Sequence, residues 1–108
     1  MSRQDAATAI ARRVTERVAR VAPRGLGRWP LAWERVEDPS TAFLDALHAW
    51  EAAVDPGQER EEALRDAVRE TADTLVRAWA EAARRWEAAG RPGQVESVTT
   101  SEPVEAGR

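Results

Sequence analysis

Apolar side chains recur along this chain at intervals of three and four residues, the pattern of helices that bury one face. Ile10, Val14, Val18 and Val21 follow at spacings of 4, 4 and 3, and Ala6, Ala7 and Ala11 widen their stripe. Ser2 precedes the stripe as an N-cap, with Asp5 in the capping-box position, and Pro23 and Gly25 close it. A first helix is therefore predicted over about 3–22. Phe43, Leu47, Trp50 and Val54 repeat at 4, 3 and 4, with Leu44 alongside. Asp38-Pro39 reads as an N-cap followed by the first helical residue, which sets a second helix at about 39–54. Asp55-Pro56 repeats that start signal, with Gln58 as its capping partner. The third helix then meets no breaker before Gly90 and Pro92, so it spans about 57–89. Its stripe is Leu64, Val68, Ala72, Leu75, Trp79, Ala82 or Ala83, and Trp86. A connection as short as the Asp-Pro-Gly turn makes the second and third helices antiparallel neighbours.

Residues 23–38 hold two Gly and two Pro, but also Leu26, Trp29, Leu31, Trp33 and Val36. A connector this apolar is expected to lie over the bundle and plug its end, with room for a short helical turn across 31–36. Residues 91–108 lack helical period and carry Ser, Thr, Glu, Pro and Gly, the composition of a disordered tail. No strand alternation and no repeat of 20–50 residues occurs. The expected fold is all-α. A helical hairpin with a long C-terminal helix and a packed N-terminal helix forms a three-helix bundle over residues 1–90, followed by a disordered C-terminal tail over 91–108.

Composition adds a constraint. Of 108 residues, 22 are Ala, while Leu, Ile, Val and Phe together number 18. Ordering each residue costs roughly 1–2 kcal/mol of backbone entropy, and Ala offsets little of it by burial. Five Trp, able to bury about 200 Å² each, compensate in part. A second helix starting at Pro39 covers the third only to about residue 73. Beyond that point lie Leu75, Trp79, Ala83 and Trp86, a stripe that the first helix and the connector can cover within the chain or a second molecule can cover from outside; on the latter reading they are, with Trp29 and Trp33 of the connector, the expected protein interface. A homodimer, or a place as subunit of a larger complex, follows as the expected state.

Charge is unevenly spread. Residues 1–35 hold eight Arg against three acids, net +5, and residues 36–108 hold eight Arg against sixteen acids, net −8. Lys is absent. The abundance of Ala, Arg, Gly and Pro points to GC-rich codons and a bacterial genome. Arg13, Arg17, Arg20 and Arg24 step by 4, 3 and 4 along one edge of the first helix. Such an edge can pair with the acidic third helix, dock on an acidic partner or track nucleic-acid phosphates. No helix-turn-helix spacing or zinc finger supports nucleic acid, which stays the alternative.

Glu59, Glu62, Asp66, Glu70 and Asp73 form the opposite stripe. The ExxE at 59–62 and ExxD at 70–73 resemble the carboxylate pairs with which helical nucleoside-triphosphate pyrophosphatases of the MazG type hold magnesium. The resemblance implies a metal-dependent nucleotide hydrolase. Those enzymes set the two motifs on facing helices, whereas both motifs here fall on one predicted helix. At about 100° per residue the stripe lies opposite Leu64, Val68 and Leu75, so it is expected to face water, with Glu61–Arg65 and Asp73–Arg77 as local pairs. His48, the single His, stands three residues from Asp45 and from Glu51 and is expected half-buried at the edge of the apolar face. With no Cys, no phosphate loop and no nucleophile set, no catalytic, cofactor or metal residues are assigned. No membrane span or secretory signal is read, which leaves the cytoplasm as the expected location. The expected function is a small non-catalytic assembly or adaptor subunit.

Overall fold

The computed structural model describes residues 2–92. Three α-helices account for most of them: α1 (Arg3–Val21), α2 (Pro30–Ala52) and α3 (Gln58–Ala88), with a 3-10 turn at Leu26–Arg28 between α1 and α2. No strand occurs among the described residues. The fold is an all-α three-helix bundle. The expected tail lies outside the described residues from 93 onward.

The helix ends follow local chemistry. Ser2 caps α1, its hydroxyl accepting from the Asp5 N–H at 3.1 Å, and the chain leaves at Ala22 just before Pro23. At the end of α3, Gly90 takes φ +85°. Its N–H donates to the Glu87 carbonyl at 3.1 Å, and the Arg91 N–H reaches the Trp86 carbonyl at 2.9 Å. That double closure is the Schellman arrangement, which needs a residue free to adopt the left-handed region. Arg91 and Pro92, read from sequence as tail, belong to the folded body: the Trp86 indole N–H donates to the Pro92 carbonyl at 2.9 Å.

The start of α2 corrects the sequence reading. The helix begins at Pro30, nine residues before Pro39, and runs through Pro39 without a break. Pro30 is its first residue, where a missing N–H costs nothing. Pro39 sits inside and leaves the Arg35 carbonyl without its helical donor. Arg35 is exposed, so water can take that place, and burial of Val36 before and Phe43 after the proline holds the helix on course. At its other end α2 stops at Ala52, and Val54 is 85 % exposed rather than part of the stripe. Asp55, read as an N-cap, instead takes φ +46°, and Gly57 at φ +84° precedes Gln58 with no side-chain cap. Leu44 and His48, placed by sequence on or beside the apolar face, are both exposed.

The extra length of α2 changes what covers α3. Trp50 Nε1 donates to Glu61 at 2.9 Å at one end of the hairpin, and Trp33 meets Trp79 edge-on at 5.4 Å near the other. Two clusters result. Ala7, Val14, Phe43, Leu47, Trp50, Val68, Ala72 and Leu75 form the three-helix core. Leu26, Ala32, Val36, Ala82, Ala83 and Trp86 form a second core where α1 has ended and the connector replaces it. Trp79 packs against both. Gly25, at φ +96°, brings the connector so close that a Cβ there would stand 3.4 Å from the Trp86 ring. Leu75, Ala83 and Trp86, expected at an interface, are thus buried within the chain, Trp86 completely. Trp79 and Trp29 are half-buried, and Trp33 is 49 % exposed with its Nε1 donating to the Gly27 carbonyl at 2.7 Å. The physical reason for the correction is length: a helix starting at Pro30 reaches the far end of α3, and one starting at Pro39 does not.

Candidate functional site

Two polar ties set the course of α1. Arg3 donates to the Ala53 carbonyl at 3.1 Å and pairs with Glu61, while Arg17 pairs with Asp73 at 2.9 Å. α1 therefore runs parallel to α3 and antiparallel to α2. Its contact residues are mostly Ala and Val, so a groove of about 400 Å³ stays open along the seam between α1 and α3. Ala6, Ile10, Val14, Trp50, Val68 and Ala72 make its floor, and Arg13, Arg17, Arg65 and Arg69 rise around it.

The four guanidiniums differ in their ties. Arg17 holds Asp73, Arg65 holds Glu61 at 3.0 Å and Arg69 holds Asp66 at 3.0 Å. Arg13 is exposed and makes no hydrogen bond or ion pair among the described residues. Exposed pairs of this kind contribute about 0–1 kcal/mol each, so the bound arginines can swing to an incoming carboxylate or phosphate at little cost. Glu61 is the fixed point of the site. Hydrogen bonds from Arg3 first, then from the Trp50 indole, with Arg65 adding less, hold its carboxyl down to about 2, against a smaller opposing effect of desolvation. The Arg3 guanidinium also lies 4.9 Å over the Trp50 ring, tying the N-terminal turn of α1 to the base of the hairpin.

The remaining sequence candidates separate around this groove. Arg13 and Arg17 line it, while Arg20 is exposed on α1 beyond it and Arg24, read from sequence as part of the same edge, is exposed in the connector after α1 has ended. The structure joins the first two to Arg65 and Arg69, which sequence reasoning had taken only as counter-ions of the acidic stripe. The Glu61–Arg65 pair forms; Asp73 turns to Arg17 instead of Arg77, which bonds Thr74 at 3.4 Å. Glu59, Glu62, Asp66 and Glu70 are exposed, with Asp73 half-exposed, and none of them lines the groove, whose charged residues on the α3 side are Arg65 and Arg69. Among the described residues no group of three or more His, Asp or Glu side chains is placed to hold a metal ion, and the 59–62 and 70–73 motifs do not face one another. A second depression, lined by Trp29, Leu31, Glu34, Arg35, Arg85, Ala88 and Ala89, lies where α2 starts and α3 ends. It gathers no convergent polar groups of one sign. No family model, curated protein or solved structure matches the chain. No described helix is long and apolar enough to cross a membrane.

Proposed function

We propose that the chain is a small non-catalytic docking subunit, and that its working surface is the α1–α3 groove with its arginine rim. The observation that supports this reading is an apolar floor flanked on both sides by guanidiniums, Arg13 and Arg17 on α1 and Arg65 and Arg69 on α3. A partner helix carrying apolar residues on one face and carboxylates beside them fits such a surface.

The alternative, a nucleic-acid accessory role, draws on the convergence of four guanidiniums. It meets an obstacle in the same geometry. Packed helix axes lie about 8–10 Å apart, so phosphates laid along the arginines come within about a Debye length of Glu62, Asp66 and Glu70.

A photo-crosslinking residue at position 69, on the groove rim, tests the reading in cells of the native source, with one at exposed position 41 on α2 as control. The expected result is a protein adduct from 69 that is absent from 41 and lost when Arg13 and Arg17 become Glu. Adducts with nucleic acid, retention on DNA at about 50 mM salt, or no adduct from 69 would overturn it.

A further inference from the structure

We infer that the arginine groove is covered by the chain's own acidic segment, residues 96–105, which an incoming acidic helix must displace. The inference rests on the docking reading above and adds its regulation. The sequence after Pro92 has the chemistry that the groove selects. Glu96, Glu102 and Glu105 are interspersed with Val95, Val98 and Val104, and the first Arg after Pro92 is Arg108. Carboxylates complement the four guanidiniums of the rim, and valines complement a floor of Ala, Ile, Val and Trp side chains. Arg65 and Arg69 also line a separate shallow depression with Glu62 and Asp66. Those two acids therefore stand on the outer side of the arginines, and a segment laid on the floor meets guanidiniums first. Its carboxylates are spaced by six and three residues, so it does not press a charge on the α3 stripe at every unit, as a line of phosphates would.

The point of departure and the length fit this occupant. The Trp86 indole N–H donates to the Pro92 carbonyl at 2.9 Å, which holds the start of the segment beside the last turns of α3. Val68, on the groove floor, stands 18 positions before Trp86, about five full helical turns, so both face the same side of α3. The Arg3–Glu61 and Arg17–Asp73 ties set α1 parallel to α3, with Arg13 at about the height of Arg69. From Trp86 back to Arg69 is about 26 Å of helix. The ten residues from Pro92 to Glu102 span up to about 33 Å when extended. Glu102 and Glu105 therefore reach Arg13 and Arg69, and exposed Arg20 and Arg24 stand along the path. A tether of this length and span gives its far end an effective concentration of about a millimolar at the groove. A segment that binds no more tightly than that covers the groove about half the time, which makes a partner's apparent affinity about twofold weaker.

Paramagnetic relaxation tests this on the full chain, which has no native Cys to compete for the label. A nitroxide is attached through Ser101→Cys, and backbone amide signals are compared with the label oxidised and reduced. The expected result is selective broadening of Ile10, Arg13, Arg17, Arg69 and Ala72 at low salt, with Thr41 on α2 unaffected. The broadening should be lost in about 1 M salt, where the Debye length is about 3 Å. It should also be lost with Glu102→Arg and Glu105→Arg, and be weakened with Glu102→Gln and Glu105→Gln. Unshifted amides elsewhere establish that each variant keeps the bundle. The charge-reversed chain should in addition give about twofold more groove adduct from position 69 than wild type. Uniform or absent broadening, broadening that survives charge reversal, or an adduct yield that reversal leaves unchanged would each overturn the inference. So would equal broadening of an unlabelled isotope-enriched chain by a labelled one mixed with it, since the contact would then lie between copies. Absent broadening with the adduct retained overturns this inference alone. Groove broadening with no adduct from either chain overturns the docking reading and leaves the contact of the segment standing.

Discussion

Truncating Trp86 separates a core stripe from a contact surface more sharply than any other single change in this chain. The indole is 0 % exposed and packs among Leu26, Ala32, Val36, Ala82 and Ala83. Its N–H donates to the Pro92 carbonyl at 2.9 Å, and the Arg91 guanidinium lies 5.6 Å from the ring centre. Trp86→Ala removes the transfer free energy of the ring and leaves a cavity, which together cost about 3–5 kcal/mol. Trp86→Phe keeps much of the volume and loses the hydrogen bond to Pro92, at about 1–2 kcal/mol. A folded body of this size holds about 5–10 kcal/mol in all, so the Ala variant should stand close to the edge of folding. Equilibrium urea unfolding followed by far-UV circular dichroism measures this, with the elution volume of the native protein recorded alongside. The midpoint should fall from wild type to Phe to Ala with little change in slope, and the elution volume should stay where it was. An Ala variant within about 1 kcal/mol of wild type, or one of unchanged stability that elutes later, would refute the reasoning and return Trp86 to an interface.

Two further changes probe the helix path and the anchor of the groove. Pro is about 3 kcal/mol less favourable than Ala inside a helix, less about 0.4–1 kcal/mol for the freer unfolded chain. Pro39→Ala should therefore stabilise the protein, by about 2–2.5 kcal/mol in urea unfolding; a loss of stability would mean that the ring packs rather than interrupts. The Glu61 carboxyl is held at about 2 in the folded chain, below its ordinary value of 4.5. Its contribution is present in full above about pH 4.5 and is lost as the pH falls toward 2. Glu61→Gln should flatten melting temperature against pH in that window without abolishing the slope, since Glu81 and Glu87 are also held low by Arg84 and Arg91. Parallel curves for the variant and wild type would show that Arg3 and Trp50 do not hold the carboxylate in solution.

The sequence made α1 and α3 legible because each carries an unambiguous stop and an uninterrupted stripe. Ser2 and Asp5 mark one start, and Gly90 with Pro92 marks one end, where the structure places a cap and a Schellman closure. α2 was misread because two proline signals compete for its start. Ala32, Val36, Phe43, Leu47 and Trp50 keep helical phase straight across Pro39, and all five are buried. Weighting that continuity above the Asp-Pro pair would have placed the start at Pro30. The misplaced start also left Trp86 bare in the sequence reading, because a shortened α2 does not reach it, whereas in the structure Trp86 is fully buried. The groove was not legible at all. Arg17 and Asp73 are 56 positions apart, and nothing in a helical period says on which flank of α3 the first helix will lie. Arg65 and Arg69 satisfy the i,i+4 and i,i+3 patterns of a solvated face whether or not a second helix comes alongside.

The same shortage of large side chains that thins the core also makes the groove. Where α2 meets α3, Phe43, Leu47, Trp50 and Leu75 fill one stretch of the seam, and Val36 and Trp86 fill another. Where α1 meets α3, the inward positions are Ala6, Ala7, Ile10, Ala11 and Val14, and their short side chains cannot reach across. Two polar ties, Arg3 to Glu61 and Arg17 to Asp73, hold α1 at the width they set. Pairs that stay partly open to water add little stability, so α1, packed mainly through Ala and Val, is the element with the weakest anchorage and the one that gains most from further burial. A second helix pressed into the seam supplies the missing apolar area to both walls. In this chain the unfinished packing and the open groove are one feature, set by the choice of alanine and arginine along α1.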